Sequence, residues 1–313
     1  MATIEWKGVF PALLTPFTPD DHLDLPLYRA NLEAQLDAGV DGIIIGGSLG
    51  EGGSLSHAER AELIRYSRDI IGKGVPVVMN IAEPTTKAAV QAALDAAEYG
   101  AQGLMLLPPM RYRADEAETL AFFRAVASAT PLPIMIYNNP VDYKILVTLD
   151  MFEALAEIPN IQAVKESTRD VSNVTRMINR FGKRFRILCG VDTIAMECLL
   201  MGADGWVAGL VDAFPRETVA IYRLILAGRL EEALRIYRWF LPVLELDIHP
   251  KLVQYIKMAA ARTGIGSEHV RAPRLIPEGN ERTRIVEVLD EALKTRPQLP
   301  DYLNLRAART VAA

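Results

Sequence analysis

Eight short apolar runs rich in Val and Ile, each followed by a loop and then by a segment of helical periodicity, restrict the fold of this chain more than any other feature. The runs are Val9–Leu14, Gly42–Ile45, Val75–Ile81, Gly103–Leu107, Ile134–Tyr137, Ile161–Val164, Arg186–Cys189 and Gly205–Ala208. Between the early ones lie helix-like segments at Leu25–Ala38, Ser56–Ile71, Thr86–Tyr99 and Asp115–Ala129. Strands that alternate with helices are parallel and joined by crossovers. Runs that are continuously apolar are buried on both faces. Eight such units in roughly 215 residues fit a (β/α)8 barrel, which needs about 200 to 250. The alternative, a doubly wound open sheet, predicts a glycine fingerprint after the first strand, where Thr15-Pro16-Phe17 stands instead.

Beyond residue 216 the strands stop. Glu217–Ala227, Leu230–Leu246, Leu252–Thr263 and Glu281–Lys294 read as helices, interrupted by a Pro273, Pro277 and Gly279 loop. The expected organisation is a barrel over 1–228, a carboxy-terminal helical appendage over 229–296, and a tail over 297–313. The formal net charge is -5, with 34 Lys and Arg against 39 Asp and Glu and no basic stripe, so nucleic acid is not an expected partner. No apolar run reaches the ~20 residues that span a bilayer, so no membrane partner is expected either. The amino terminus has no signal-peptide pattern, and a cytoplasmic location is expected. His22, His57, His249 and His269 are scattered, and Cys189 and Cys198 lack CxxC spacing. We therefore expect two reduced thiols, no metal and no cofactor.

In a barrel enzyme the reacting groups stand at the carboxyl ends of the strands. The second strand ends in Gly46-Gly47-Ser48-Leu49-Gly50-Glu51-Gly52-Gly53-Ser54, the fifth in Tyr137-Asn138-Asn139-Pro140, the sixth in Lys165-Glu166-Ser167-Thr168, and the seventh in Gly190-Val191-Asp192-Thr193. Lys165 shares strand parity with Ile161 and Ala163. Inside an apolar barrel mouth its amine is desolvated, held neutral, and able to attack a ketone. By position alone a lysine that reaches water is the more common case. Tyr137 closes the adjacent strand, as a proton carrier or as a packed ring. The glycine-rich turn offers clustered N–H groups that suit a carboxylate, or it is a plain turn; it matches neither dinucleotide nor P-loop patterns. Glu51 reads as a tie for that turn, with a general base as the alternative.

Together these residues resemble the dihydrodipicolinate synthase / N-acetylneuraminate lyase family. Gly47-Ser48-Leu49-Gly50-Glu51 resembles its GxxGE loop, Tyr137-Asn138-Asn139-Pro140 its YNxP, and Val164-Lys165-Glu166-Ser167 its KE(S/T). Gly8-Val9-Phe10-Pro11-Ala12-Leu13-Leu14-Thr15-Pro16-Phe17 also matches, and the likeness runs from about residue 7 to 265. The resemblance implies a homotetramer of (β/α)8 barrels acting on a small 2-oxo acid, with Lys165 as Schiff-base lysine and Tyr137 as proton relay. It implies that the amides of Ser48 and Leu49 bind the substrate carboxylate, with the Ser48 hydroxyl bridging to Tyr137. Gly47, Leu49, Asn139, Ser167, Gly190, Asp192 and Gly209 are the expected substrate-binding positions; Asp142 and Thr193 are further polar candidates for distal hydroxyls.

Three departures bear on the reaction. Dihydrodipicolinate synthases usually carry Thr-Thr where this chain has Ser48-Leu49. They place a tyrosine lent to the adjacent subunit after strand four, where this chain has Pro109-Met110-Arg111-Tyr112; Arg111 takes its place, or Tyr112 after a shift of one. They carry a carboxylate-binding arginine after YNxP, where this chain has Asp142. The expectation is therefore a catabolic branch: a dehydratase or deaminase of the 1-pyrroline-4-hydroxy-2-carboxylate deaminase type, or a 2-keto-3-deoxy sugar-acid aldolase or dehydratase, in preference to the synthase. A non-catalytic 2-oxo-acid sensor on the same scaffold is the alternative of another class.

Overall fold

The structure is a computed structural model that describes residues 4–109 and 112–306. Eight parallel strands form one sheet: β1 Gly8–Pro11, β2 Ile43–Ile45, β3 Val77–Ile81, β4 Gly103–Leu106, β5 Ile134–Asn138, β6 Ile161–Glu166, β7 Arg186–Cys189 and β8 Gly205–Ala208. Each strand pairs with its neighbours in sequence, β1 also pairs with β8, and a parallel bridge between Ala12 and Ile44 joins β1 to β2. This is the (β/α)8 barrel that the alternation of runs predicts, with further helices after it. All eight expected runs hold a strand. The chief differences are at the ends: the first strand stops at Pro11, and the fifth and sixth extend past the expected Tyr137 and Val164 to Asn138 and Glu166.

Local chemistry sets the helix boundaries. Leu25–Ala38 begins behind Asp24, whose carboxylate accepts from the Leu27 N–H, and ends at Gly39 in the left-handed region. Reciprocal capping boxes start His57–Ile71 at Ser56/Glu59 and Glu116–Ala129 at Asp115/Glu118. Each such cap contributes about 1 kcal/mol. The core is the barrel interior plus the shell between strands and helices, with Val9, Ile43, Val78, Leu104, Ile134, Ile161 and Leu188 fully buried. Cys189 and Cys198 are free and buried in it.

After the last barrel helix, Pro215–Leu226, come Leu230–Leu244, a 3-10 turn at Glu245–Ile248, and the helices Leu252–Arg262 and Gly279–Lys294. The 3-10 turn bends the chain back across the carboxyl ends of β7 and β8. The tail runs along the same chain as far as described: Tyr302 is buried, and Leu299 and Leu305 pack on the core. No helix among the described residues is long and apolar enough to cross a membrane, and no cluster of three or more His, Cys, Asp or Glu side chains among them is arranged to hold a metal ion.

Candidate active site

Tyr137 and Lys165 are register partners across β5 and β6. Strand alternation sends both inward and turns their successors, Asn138 and Glu166, to the outer face. There the Glu166 carboxylate accepts from Asn173 Nδ2 at 2.8 Å and from the Thr168 N–H at 2.8 Å, which ties down the loop after β6. Asn138 exchanges two hydrogen bonds with the backbone of Val147. The outer pair thus holds the loops in which the inner pair is set.

Lys165 is 7% exposed, and its Nζ lies 4.2 Å from the centroid of the Tyr137 ring. The other buried lysine, Lys257, is ion-paired to Glu51 at 2.5 Å and donates to the His269 carbonyl at 2.6 Å. Lys165 has no carboxylate within ion-pairing distance among the described residues. Burial therefore dominates and lowers its pKa, against smaller opposing effects of Asp247, Tyr143 and Asp192. Room for the side chain comes from the end of β7. A Cβ at Gly190 would lie 2.6 Å from Lys165 Cε and Cγ and 2.2 Å from Ser167 Oγ.

The phenol of Tyr137 accepts from Asn139 Nδ2 at 3.2 Å, and burial pushes its pKa up to about 12. Its expected partner, the Ser48 hydroxyl, pairs instead with Tyr143 Oη at 2.7 Å. Asn139 explains the change. Its side chain accepts from the Asp142 N–H at 3.1 Å and caps a one-turn helix, Pro140–Tyr143, that brings the Tyr143 ring edge-on to Tyr137, centroids 5.5 Å apart. The hydroxyl bridge thus runs from Ser48 to a second tyrosine. Asn-Pro at a helix start was the signal in the sequence for that turn.

The glycine-rich loop is rigidly held. A Cβ at Gly52 would meet the Gly46 carbonyl at 1.9 Å, and one at Gly50 would meet the Leu13 carbonyl at 2.8 Å. Thr15 Oγ1 donates to the Gly50 carbonyl at 2.8 Å. Glu51, left-handed at φ 50°, is fully buried outside the cavity, where its carboxylate meets Lys257 and accepts from the Arg271 N–H at 3.0 Å. It ties the loop to the helical region and has no access to a substrate, which removes the general-base reading. The N–H groups of Ser48 and Leu49 donate to no protein group among the described residues. They are free to take a carboxylate.

These residues line one cavity of about 380 Å³, within the range of small-molecule sites. Of the positions expected from sequence, Gly47, Ser48, Leu49, Tyr137, Asn139, Asp142, Lys165, Ser167, Gly190 and Gly209 border it. Ser167 Oγ is buried with no hydrogen-bond partner among the described residues. Asp192 and Thr193 do not border it. The Asp192 carboxylate lies behind the wall and accepts from Trp206 Nε1 at 2.8 Å and from the N–H groups of Gly209 at 3.1 Å and Leu210 at 2.8 Å. It shapes the end of β8. Tyr112 is 58% exposed, and Met110 and Arg111 lie outside the described residues.

Four titratable or charged lining residues escaped the sequence reading of the site: Tyr143, Arg169, Asp247 and His249. Asp247 and His249 come from the 3-10 turn and the residue after it, outside the barrel. A search confined to strand ends passes over them, and the apolar spacing of Leu241, Leu244 and Ile248 disguises the turn as more helix. Arg169 adds a cation to a rim that also carries the carboxyl groups of Asp142 and Asp247.

A family model described as the dihydrodipicolinate synthetase family matches residues 5–292. A 4-hydroxy-tetrahydrodipicolinate synthase of Exiguobacterium sibiricum is 33% identical over 273 residues, 86% of this chain and 91% of that protein. The solved 4-hydroxy-tetrahydrodipicolinate synthase of Methylacidiphilum fumariolicum SolV superposes with a TM-score of 0.87 at 26% identity, covering 93% of this chain and 97% of the other. A prophage protein of the dihydrodipicolinic acid synthase family from E. coli K12, solved in complex with pyruvate, gives a TM-score of 0.86 at 26% identity, covering 92% and 99%.

Proposed function

Because the chain belongs to the dihydrodipicolinate synthetase family, we propose that it is a Schiff-base lyase in which Lys165 adds to C2 of a small 2-oxo acid or its cyclic imine. The observation that carries this reading is a buried, unpaired amine over the face of Tyr137, in a cavity that also holds the free N–H groups of Ser48 and Leu49. The amides take the C1 carboxylate and so hold C2 toward the amine. Tyr137 accepts the proton of the attacking nitrogen and returns it to the departing oxygen or nitrogen of C2. Water or ammonia leaves, and the iminium acidifies C3. Loss of a C3 proton gives an enamine, which expels an oxygen from C4. Cleavage of the C3–C4 bond is the aldol variant.

We read the reaction as dehydration or deamination of a hydroxylated substrate, of the 1-pyrroline-4-hydroxy-2-carboxylate deaminase type. A 2-keto-3-deoxy sugar-acid aldolase or dehydratase, releasing pyruvate or a 2-oxoglutarate semialdehyde, is the neighbouring alternative. Support comes from Asp142, which stands on the rim where the synthases carry a carboxylate-binding arginine and favours hydroxyls over a second carboxylate at the far end of the substrate. A second reading, the synthase reaction named for the relatives, is favoured by Arg169, a cation on the same rim. A homotetramer in the cytoplasm completes the proposal; sedimentation as a monomer would remove the first half of it.

Borohydride reduction in the presence of pyruvate tests the chemistry: a mass adduct on Lys165 is expected, and an adduct on another lysine, or none, rejects it. A panel of the hydroxypyrroline carboxylate and 2-keto-3-deoxy acids, read for ammonia, pyruvate and semialdehyde, separates the catabolic reactions. Pyruvate-dependent formation of 4-hydroxy-tetrahydrodipicolinate decides for the synthase. Binding without turnover across the panel decides for a sensor.

A further inference from the structure

Asp247 reaches the cavity from outside the barrel. The 3-10 turn at Glu245–Ile248 lays it over the ends of β7 and β8. Its Oδ2 accepts from the Asp192 N–H at 3.4 Å, a long bond. Its Oδ1 occupies space left open by Gly209: a Cβ there would lie 2.6 Å from that oxygen and 3.1 Å from Leu49 Cδ1. The carboxyl therefore stands beside the loop that offers its amides to a carboxylate. It is also the charged group with the strongest influence on Lys165. No cation lies within ion-pairing distance of it among the described residues, so nothing in the protein uses up its proton-binding capacity.

The other titratable groups on the cavity are otherwise engaged. Asp142 accepts from Asn139 Nδ2 at 2.7 Å. His249 stacks on Tyr255, ring centroids 4.6 Å apart, and its Nδ1 accepts from the Lys251 N–H at 3.1 Å. Tyr143 is paired with Ser48, and Arg169 holds a permanent charge. The Tyr137 ring covers one side of the Lys165 nitrogen. Of the two carboxyls on the cavity among the described residues, that leaves Asp247, held by one long hydrogen bond, as the less engaged.

We propose that Asp247 is the proton-transfer group at C3: its carboxylate removes the C3 proton from the iminium, and its carboxyl then returns that proton to the leaving C4 oxygen, or to C3 after aldol cleavage. This rests on the Schiff-base reading of Lys165. The balance closes within the site. In elimination the electron pair of the C3–H bond becomes the enamine, the enamine expels the C4 hydroxyl, and the same proton makes it water. In cleavage the carboxylate takes the C4 hydroxyl proton, the C3–C4 pair moves into the enamine, and protonation of C3 restores the iminium. Burial and the nearby Asp192 raise the Asp247 pKa, so the group begins with a proton to give. An iminium cannot shed its charge as an amine can, so its formation favours the carboxylate, and the displaced proton leaves with the carbinolamine hydroxyl as water.

Solvent-deuterium exchange into the methyl group of pyruvate, followed by proton NMR, reads the C3 step without knowledge of the natural substrate. Borohydride trapping run to its end point reads the iminium separately. We expect wild type to exchange and to trap at Lys165. Asp247→Asn should still trap at Lys165 while its exchange falls on the order of 10²-fold or more, as for loss of a general base. Asp247→Glu should recover part of the exchange. Exchange by Asp247→Asn within threefold of wild type overturns the proposal and leaves the Schiff base standing. So does a wild type that traps without exchanging, or an Asp247→Asn that no longer traps. Absence of any Lys165 adduct in wild type instead overturns the reading on which the proposal rests.

Discussion

Gly190→Ala puts a methyl group where the structure leaves none. It would meet Lys165 Cε and Cγ at 2.6 Å, and Ser167 Oγ at 2.2 Å. Carbon atoms pack at about 3.5 to 4.0 Å, so the lysine must give way by about 1 Å. The backbone at 190 has no positive φ, so alanine is not strained there. What yields is the side chain of Lys165, which no ion pair among the described residues holds. The fold should lose only about 1 to 3 kcal/mol, as for a methylene forced into a packed interior. The reaction should lose more, because a ~1 Å displacement of a reacting group costs on the order of 10²-fold. The assay is kcat/KM on the best substrate of the panel, beside the initial rate of borohydride trapping with pyruvate and a thermal melt. A folded variant that traps and turns over within threefold of wild type would refute the claim that the glycine exists to seat the lysine.

Tyr137→Phe should slow turnover on the order of 10²-fold or more, and Tyr143→Phe should slow it too, if protons pass through both phenols; steady-state kinetics on the two variants checks this. Glu51→Gln should lower stability by about 3 to 5 kcal/mol, because it strands the buried Lys257 ammonium; chemical denaturation measures it, and replacing Lys257 by Met in the same chain should restore part of the loss. Glu59 is held down to about pKa 2, chiefly by its hydrogen bonds from Arg271. A carboxylate with a depressed folded pKa stabilises above its unfolded value of about 4.3 and ceases to do so as pH falls toward 2. Melts of wild type and Glu59→Gln should therefore differ above pH 4.5 and converge near pH 2; a constant gap would contradict the assignment.

Much of the barrel was legible because strands buried on both faces leave a local trace that needs no partner to be seen. The helix starts at Ser56 and Asp115 were likewise written in single residues, since a cap acts within three positions of itself. Lys165 and Tyr137 were legible because barrel connectivity places successive strand ends side by side. Asp192 misled for the same reason: it stands where a strand ends, yet the indole of Trp206 and two backbone N–H groups draw its carboxylate into the wall.

By itself the order of residues determined the eight-stranded alternation, the capped helices, and the placing of a lysine and a tyrosine on adjacent strand ends, because each depends on neighbours a few positions away or on a repeated unit. Only the tertiary structure decided that Ser48 meets Tyr143, that Arg169 stands on the rim, and that Asp247 enters the cavity of Lys165 from about eighty residues beyond it in sequence. Those contacts come from how separate loops pack over the barrel mouth, and that packing leaves no periodic signal along the chain.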